Sequence, residues 1–160
     1  MKIKLSKFKK QKIYHKNYLK NFFWFLINNL IINSFIPSSN LRKFLLTFFG
    51  AKIGVGVTIK PKIYIKFPWK LKIGNNSWIG EKVWIDNIEM VSIGDDCCIS
   101  QGVYFCTGNH DFKKETFDLI AEKIEVKNNS WIAAKAKIGP GVIIKESSFI
   151  KLGEIIVKKK

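Results

Sequence analysis

His110 has a residue type and a position that suit acid–base chemistry. It lies in the short segment TGNHD, where a regular apolar pattern gives way to an irregular stretch. An imidazole titrates near neutral pH and can take a proton from a hydroxyl group as that oxygen attacks a carbonyl carbon. We therefore predict that His110 is a general base, against the alternative that it merely ends a repeat. The other histidine, His15, lies in a lysine-rich lead and is assigned no role.

The element that must position His110 is a repeat in which an aliphatic residue returns every six positions. Three sets begin at Ile53, Ile73 and Ile93, and a fourth run extends from Val126 to Ile156. A small or β-branched residue often follows four places after the aliphatic one. A period of six fits neither an α-helix nor a half-buried strand, but it suits a triangular solenoid with one short strand and one corner per hexapeptide. We predict a mainly β fold, a parallel β-helix over residues 51–160.

The rhythm is interrupted in two ways. The first three sets start 20 residues apart, so two extra residues must bulge at one corner of each coil. Residues 111–125 depart from the rhythm directly after His110, and such an insertion must leave the solenoid as a protruding loop. Because loops on one face of a repeat protein are where binding is usually built, we expect a functional site at this loop.

The first 50 residues follow a different pattern, which predicts a basic lead and then a helical cap. Residues 17–36 form an apolar, aromatic-rich run that Pro37 ends. Ser39 or Asn40 can then cap a second short helix. We expect these helices to cover the open edge of the first coil. The run is too short and too polar to span a bilayer, but an interfacial helix with lysine flanks would suit peripheral contact with an anionic membrane.

Charge is distributed unevenly along the chain. The net charge is +16, with 16 basic and no acidic residues in 1–80, and 12 of each in 81–160. A basic half favours an anionic partner, although a genomic bias toward lysine would give the same composition. No recognisable nucleic-acid-binding module accompanies the charge, so we expect no nucleic acid partner. The three cysteines form no CxxC pair and no secretory pattern is present, which favours a cytoplasmic protein or one at the inner face of the membrane.

Four segments of the chain resemble a known family. They are IPSSNLRKFLLTFFGAKIG, FPWKLKIGNNSWIGEKVWIDN, VSIGDDCCISQGVYFCTGNHD and NSWIAAKAKIGPGV. They are similar to the colanic acid and exopolysaccharide O-acetyltransferases, a branch of the hexapeptide-repeat family that also includes galactoside, maltose and serine acetyltransferases. The resemblance covers roughly residues 18–150. It implies a left-handed β-helix, a homotrimer with acetyl-CoA between neighbouring solenoids, and direct acetyl transfer to a sugar or lipid-linked glycan with His110 as base.

The same resemblance assigns binding residues. Asp86 matches a substrate-binding Asn of the galactoside branch, with Asn87 beside it. Either could orient the acceptor hydroxyl or donate to a developing oxyanion, or the pair could simply form a corner turn. Ala134 matches the position whose backbone meets the pantetheine arm of the cofactor, and Lys158 the basic residue near its phosphates. Trp131 is a further candidate for packing near the cofactor, or equally a wall residue of the solenoid. No metal is expected.

Departures from the family pattern leave alternatives open. Leu152 stands where a small residue is usual, and Val157 where Ser or Thr precedes the basic residue. The sequence stops at Lys160, where the family continues into a tail that folds over coenzyme A, so we expect a missing or shortened clasp. A non-catalytic solenoid scaffold is therefore the alternative reading. A carbonic-anhydrase-like zinc enzyme would need several histidines in the repeats, which contain one.

Overall fold

The structure, a computed structural model, describes residues 3–9 and 18–158. Most of the basic lead, including His15, lies outside the described residues, as do Lys159 and Lys160. Within the described part, a 3₁₀ turn at Leu5–Lys7 precedes the helices.

Two helices precede the strands. Helix α1 spans Tyr18–Ile27 and continues into a π-helical turn at Asn28–Ile32, and helix α2 spans Ser39–Phe48. Ser38, one residue before the predicted caps, begins α2: its Oγ accepts a hydrogen bond from the backbone N–H of Leu41 at 3.1 Å. No helix within residues 3–9 and 18–158 is long and apolar enough to cross a membrane.

The predicted parallel β-helix is confirmed, with five coils that each give one short strand to each of three sheets. The strands of the coils are β1 Lys52–Ile53, β2 Thr58–Ile59, β3 Tyr64–Ile65, β4 Leu71–Ile73, β5 Trp78–Ile79, β6 Trp84–Asp86, β7 Val91–Ile93, β8 Cys98–Ile99, β9 Tyr104–Cys106, β12 Ile124–Val126, β13 Trp131–Ile132, β14 Lys137–Ile138, β15 Ile143–Ile144, β16 Phe149–Ile150 and β17 Ile155–Ile156. The two remaining strands, β10 Gly108–His110 and β11 Leu119–Ala121, form a hairpin outside the coils. Sheet A contains β1-β4-β7-β12-β15, sheet B contains β2-β5-β8-β13-β16, and sheet C contains β3-β6-β9-β14-β17.

The aliphatic residues that recur every six positions build the core because they stack in register from coil to coil. Ile59, Ile79, Ile99 and Ile132 lie side by side in sheet B, and each is at most 1% exposed. The small residues of the second slot, such as Val83, are buried with them. Each fully buried isoleucine contributes roughly 1.5–3 kcal/mol relative to exposure. Stacking of the residues that recur every six positions therefore stabilises the solenoid.

The extra residues collect where a strand of sheet C turns toward the next strand of sheet A, which we call the C–A corner. Pro68–Lys70 form a 3₁₀ turn there, and residues 87–90 occupy it one coil later. The predicted protruding loop leaves from this same corner as the antiparallel hairpin β10–β11, with His110 paired to Leu119. It starts at Gly108 and rejoins sheet A at Ile124, a few residues before the predicted limits, because hairpin pairing fixes its ends.

The helices pack on the first coil and use its edge hydrogen-bonding groups. The indole Nε1 of Trp24 donates to the carbonyls of Ile65 and Lys66 at 3.1 and 3.0 Å. The backbone N–H of Ile59, on the edge strand β2, donates to Ser39 Oγ at 2.9 Å. Because these edge groups are satisfied, the first coil does not present an open strand at these positions.

Arg42 lies inside this helical cap and is 1% exposed. Its guanidinium donates to the backbone carbonyls of Ile32, Ser34 and Ser38 at 3.4, 3.2 and 3.1 Å, and also to that of Ile36. Burial lowers the pKa of Arg42. These bonds tie the connection between α1 and α2 to α2 itself, which fixes the two helices to each other.

Candidate active site

His110 is oriented by the hairpin that carries it. Its Nδ1 lies 2.8 Å from the backbone carbonyl oxygen of Phe117, and its ring stacks on the Phe117 ring with centroids 4.2 Å apart and planes within 2° of parallel. A carbonyl oxygen only accepts, so Nδ1 of a neutral imidazole must carry the proton here. Nε2 then holds the free lone pair, and within the described residues it has no hydrogen-bond partner.

Phe117 occupies a strained position at the end of the hairpin turn. Its φ is +50°, in the left-handed region that costs a non-glycine residue of order 1 kcal/mol. Its N–H donates to the Lys114 carbonyl at 3.1 Å, and the Lys114 ammonium bonds the Asp118 carboxylate at 3.1 Å. Hydrogen bonds from Thr116 and Lys114 lower the pKa of Asp118. The turn thus holds the Phe117 carbonyl against the imidazole.

A second phenylalanine reaches His110 from the start of the chain. The Phe8 ring meets the imidazole edge-on, with centroids 5.6 Å apart at 61°. The backbone N–H of Lys4 donates to the Glu115 carbonyl at 2.9 Å, and the Lys7 ammonium bonds the Glu115 carboxylate at 2.9 Å. Residues 3–9 therefore lie against the hairpin as a strap, and His110 contacts two aromatic rings.

Asp86 and Asn87 stand at the end of β6, next to the C–A corner from which the hairpin leaves. The Asp86 carboxylate is half-buried and accepts a hydrogen bond from the Lys66 ammonium at 2.7 Å. Asn87 is fully buried: its Oδ1 accepts from the Phe67 N–H at 2.9 Å, and its Nδ2 donates to the carbonyls of Phe67 and Lys70 at 2.7 and 2.8 Å. These contacts leave Asp86 accessible and tie Asn87 to the corner.

The three predicted cofactor residues lie in two places. Lys158 follows β17 near the C–A corner, where its ammonium bonds Glu122 of the hairpin at 2.6 Å. Ala134 is buried at the opposite end of sheet C, in the turn before β14, and its carbonyl accepts from Gly153 N–H at 2.9 Å. Trp131 is half exposed on the outer face of β13. Asp86 and Lys158 therefore lie near the corner from which the His110 hairpin leaves, whereas Ala134 and Trp131 lie away from that corner.

Solved structures share this architecture. A hexapeptide-repeat acetyltransferase from Vibrio cholerae, complexed with acetyl coenzyme A, matches with a TM-score of 0.75 at 19% identity, over 87% of this chain and 75% of that one. A galactoside acetyltransferase in complex with coenzyme A matches with a TM-score of 0.77 at 22% identity, over 89% and 73% of the two chains. These neighbours are left-handed β-helix proteins, which confirms the predicted fold class.

Sequence comparison shows which proteins this chain is related to. No protein-family model matches the chain. Over 109 residues, or 68% of the chain, it is 38% identical to an Escherichia coli protein named for colanic acid biosynthesis, the acetyltransferase WcaF. The chain is a homologue of the hexapeptide-repeat acetyltransferases. Over 120 residues it is also 28% identical to the galactoside O-acetyltransferase of Escherichia coli. The matches span 60% and 59% of the lengths of these two relatives.

Two features of this acetyltransferase homologue were not predicted from its sequence. The Phe117 carbonyl leaves no sequence signal, since any residue has one. The partners of Asp86 do leave a signal: Lys66 precedes it by 20 residues, one coil length, and so lies beside it in sheet C. The same spacing stacks Trp84 beside Tyr104, with ring centroids 4.8 Å apart on the outer face. Burial raises the pKa of Tyr104.

Proposed function

We propose that this protein transfers the acetyl group of acetyl-CoA to a sugar hydroxyl, with His110 as the general base. The observation that carries the proposal is the anchored imidazole. Its Nδ1 is held 2.8 Å from the Phe117 carbonyl, so the lone pair at Nε2 is the one left to accept a proton. A general base held in one orientation contributes on the order of 10²–10⁴ to a rate.

Each bond in the proposed transfer is accounted for. The acceptor hydroxyl gives its proton to Nε2 of His110 while its oxygen bonds the acetyl carbonyl carbon. The carbon–sulfur bond of the thioester breaks, and the thiol sulfur of coenzyme A takes a proton in turn, which His110 can return. The Phe117 carbonyl stabilises the positive charge that the imidazole carries between these two proton transfers. Acetyl-CoA supplies only the activated acetyl group.

Asp86 is proposed to orient the acceptor. Its carboxylate is near the corner from which the hairpin leaves, and it can accept a hydrogen bond from a sugar hydroxyl. Lys66 holds that carboxylate in place through the 2.7 Å contact between its ammonium and Oδ1. Asn87, whose amide is engaged with the backbone of the corner, is proposed to position Asp86 rather than to contact the sugar.

A homotrimer is proposed because the candidate residues lie on two edges of one prism. Ala134 and Trp131 of one subunit could meet His110 and Lys158 of a neighbour if the solenoids pack side by side. The chemistry of these residues suits the elongated acetyl-CoA. Trp131 offers a half-exposed indole, Ala134 is a small residue at a coil turn, and Lys158 can bind a phosphate. A phosphate that binds Lys158 must compete with the Glu122 carboxylate, which lies 2.6 Å from its ammonium.

The proposed acceptor is an exopolysaccharide, O-antigen or similar glycan precursor. The support is the identity with a relative named for colanic acid biosynthesis and with a galactoside O-acetyltransferase. If the precursor is carried on a lipid, the protein would work in contact with an anionic membrane.

The test is acetyl transfer to a panel of oligosaccharides, with release of the coenzyme A thiol followed and the acetylated sugar identified by mass spectrometry. We expect His110→Ala to lower kcat by roughly 10²-fold or more. The matched control, His15→Ala, should leave kcat unchanged. Equal activity of wild type and His110→Ala would rule out the assigned base. Failure to bind acetyl-CoA would favour the non-catalytic scaffold.

The shared site has a separate test in mixed oligomers. His110→Ala subunits and Ala134→Glu subunits are each expected to be inactive alone. If each site takes His110 from one chain and Ala134 from its neighbour, mixing the two variants regenerates sites in which both residues are native. Activity that stays absent after mixing and reassembly would contradict a site shared between subunits.

A further inference from the structure

Helix α1 exposes an apolar surface although it is attached to the solenoid. Trp24 and Asn28 face the first coil and are buried. The opposite side of the helix carries no charged side chain, since its solvent-facing residues are Tyr18, Leu19, Phe22, Phe23, Phe25 and Leu26. Phe22 is 56% exposed and Leu19 is 69% exposed. An ordinary surface helix presents charged or polar residues on this side.

The apolar surface continues onto α2. Phe23 and Ile27 of α1 line a hollow of about 490 Å³ together with Phe48 of α2 and Lys20. Phe48 is 74% exposed and stacks with the exposed Phe44, at 6.3 Å between centroids. We call these eight exposed residues the aromatic face: Tyr18, Leu19, Phe22, Phe23, Phe25, Leu26, Phe44 and Phe48. Contiguous apolar surface of this kind marks an interaction site.

We propose that the aromatic face binds the surface of an anionic phospholipid bilayer, with its rings at the boundary between headgroups and acyl chains. The charge of the region favours this partner over others, because residues 1–80 carry 16 basic and no acidic side chains. A second copy of the chain would offer the same basic half or a half with 12 basic and 12 acidic residues, so it supplies no complementary charge. Aromatic side chains beside lysines are typical of membrane interfaces.

The face is held rigidly, which lowers the entropic cost of binding. Trp24 fixes α1 to the third strand of the first coil through its bonds to Ile65 and Lys66. Arg42 fixes α2 to the connection between the helices. The surface therefore does not need to fold on contact, unlike a disordered basic segment.

The attachment also connects the membrane face to the proposed acceptor site. The Lys66 carbonyl accepts from Trp24 at 3.0 Å, while the Lys66 ammonium donates to Asp86 at 2.7 Å. Lys66 thus contacts both helix α1, which carries the aromatic face, and Asp86, whose carboxylate we propose orients the sugar. For a lipid-linked acceptor this would place the headgroup sugar near Asp86; that part rests on the proposed function, whereas lipid binding does not.

The experiment is flotation of the full chain with vesicles, without acetyl-CoA or acceptor. Vesicles of three parts phosphatidylcholine to one part phosphatidylglycerol are compared with vesicles of phosphatidylcholine alone. The face variant is Leu19→Ser with Phe22→Ser. Its matched control is Leu152→Ser with Phe112→Ser, which removes the same residue types from exposed positions outside the face. Circular dichroism and sedimentation of each variant report folding and oligomeric state.

We expect the wild type and the control to bind the anionic vesicles and to bind neutral ones less. The face variant should lose about tenfold or more in partitioning, since two large apolar side chains no longer enter the interface. Equal binding by the face variant and the control would overturn the proposal, as would no binding by the wild type. A face variant that binds lipid normally but changes its oligomeric state would assign the face to a subunit interface instead.

Discussion

Phe117 gives the sharpest test of how His110 is oriented, because its ring and its backbone can be separated. The ring stacks on the imidazole at 4.2 Å, while the carbonyl accepts from Nδ1 at 2.8 Å. Since φ is +50° at this position, Asn tolerates the left-handed backbone and keeps the carbonyl in place. Phe117→Asn therefore removes the stacking ring alone, and Phe117→Tyr keeps it.

The size of the effect follows from the stacking geometry. A well-formed aromatic pair contributes about 0.5–1.5 kcal/mol beyond its buried area. If that energy serves to hold the productive orientation, its loss lowers kcat by roughly 2- to 12-fold, at about 1.36 kcal/mol per factor of ten. The KM for acetyl-CoA should not change, because the ring is a positioning group and does not bind the cofactor.

The assay is the initial rate of coenzyme A thiol release at saturating acetyl-CoA, with the acceptor identified in the panel. Phe117→Tyr is the control and should retain kcat within about a factor of two. Unchanged kcat in Phe117→Asn would refute the orienting role of the ring. A decrease in kcat as large as that of His110→Ala would also refute the reasoning, since ring stacking contributes too little energy to explain so large a decrease.

Three further predictions concern the strap, the cap and the core. Phe8→Ala should raise the rate at which diethyl pyrocarbonate modifies His110, followed by peptide mass spectrometry; an unchanged rate would mean that the strap leaves the imidazole open. Arg42→Leu strands three or more backbone carbonyls and should lower the free energy of unfolding by about 3 kcal/mol in urea titration, with each carbonyl worth ~1 kcal/mol. Burial raises the pKa of Cys97, so less thiolate is present at pH 8 and Ellman's reagent should label the more accessible Cys98 first; Cys97 labelled first in the folded protein would contradict its burial.

The coil architecture could be predicted because it depends on a local, periodic pattern. Each inward residue, such as Ile79 or Ile99, repeats at a fixed spacing, and burial of one member requires burial of its neighbours in the stack. The apolar run predicts the helical cap, but the predicted capping residues, Ser39 and Asn40, follow the observed cap, Ser38. Ser38, Ser39 and Asn40 are all good caps, and only the path of the chain selects Ser38.

The sequence by itself determined the solenoid, the corner that receives the extra residues and the placement of His110 in an insertion, because period, length and residue type are properties of the chain. The tertiary structure decided what surrounds the imidazole. The Phe117 carbonyl and the Phe8 ring come from positions that no hexapeptide spacing relates to His110. Such contacts depend on how the hairpin, strap and coils fold back in space, and a backbone carbonyl has no sequence signature at all.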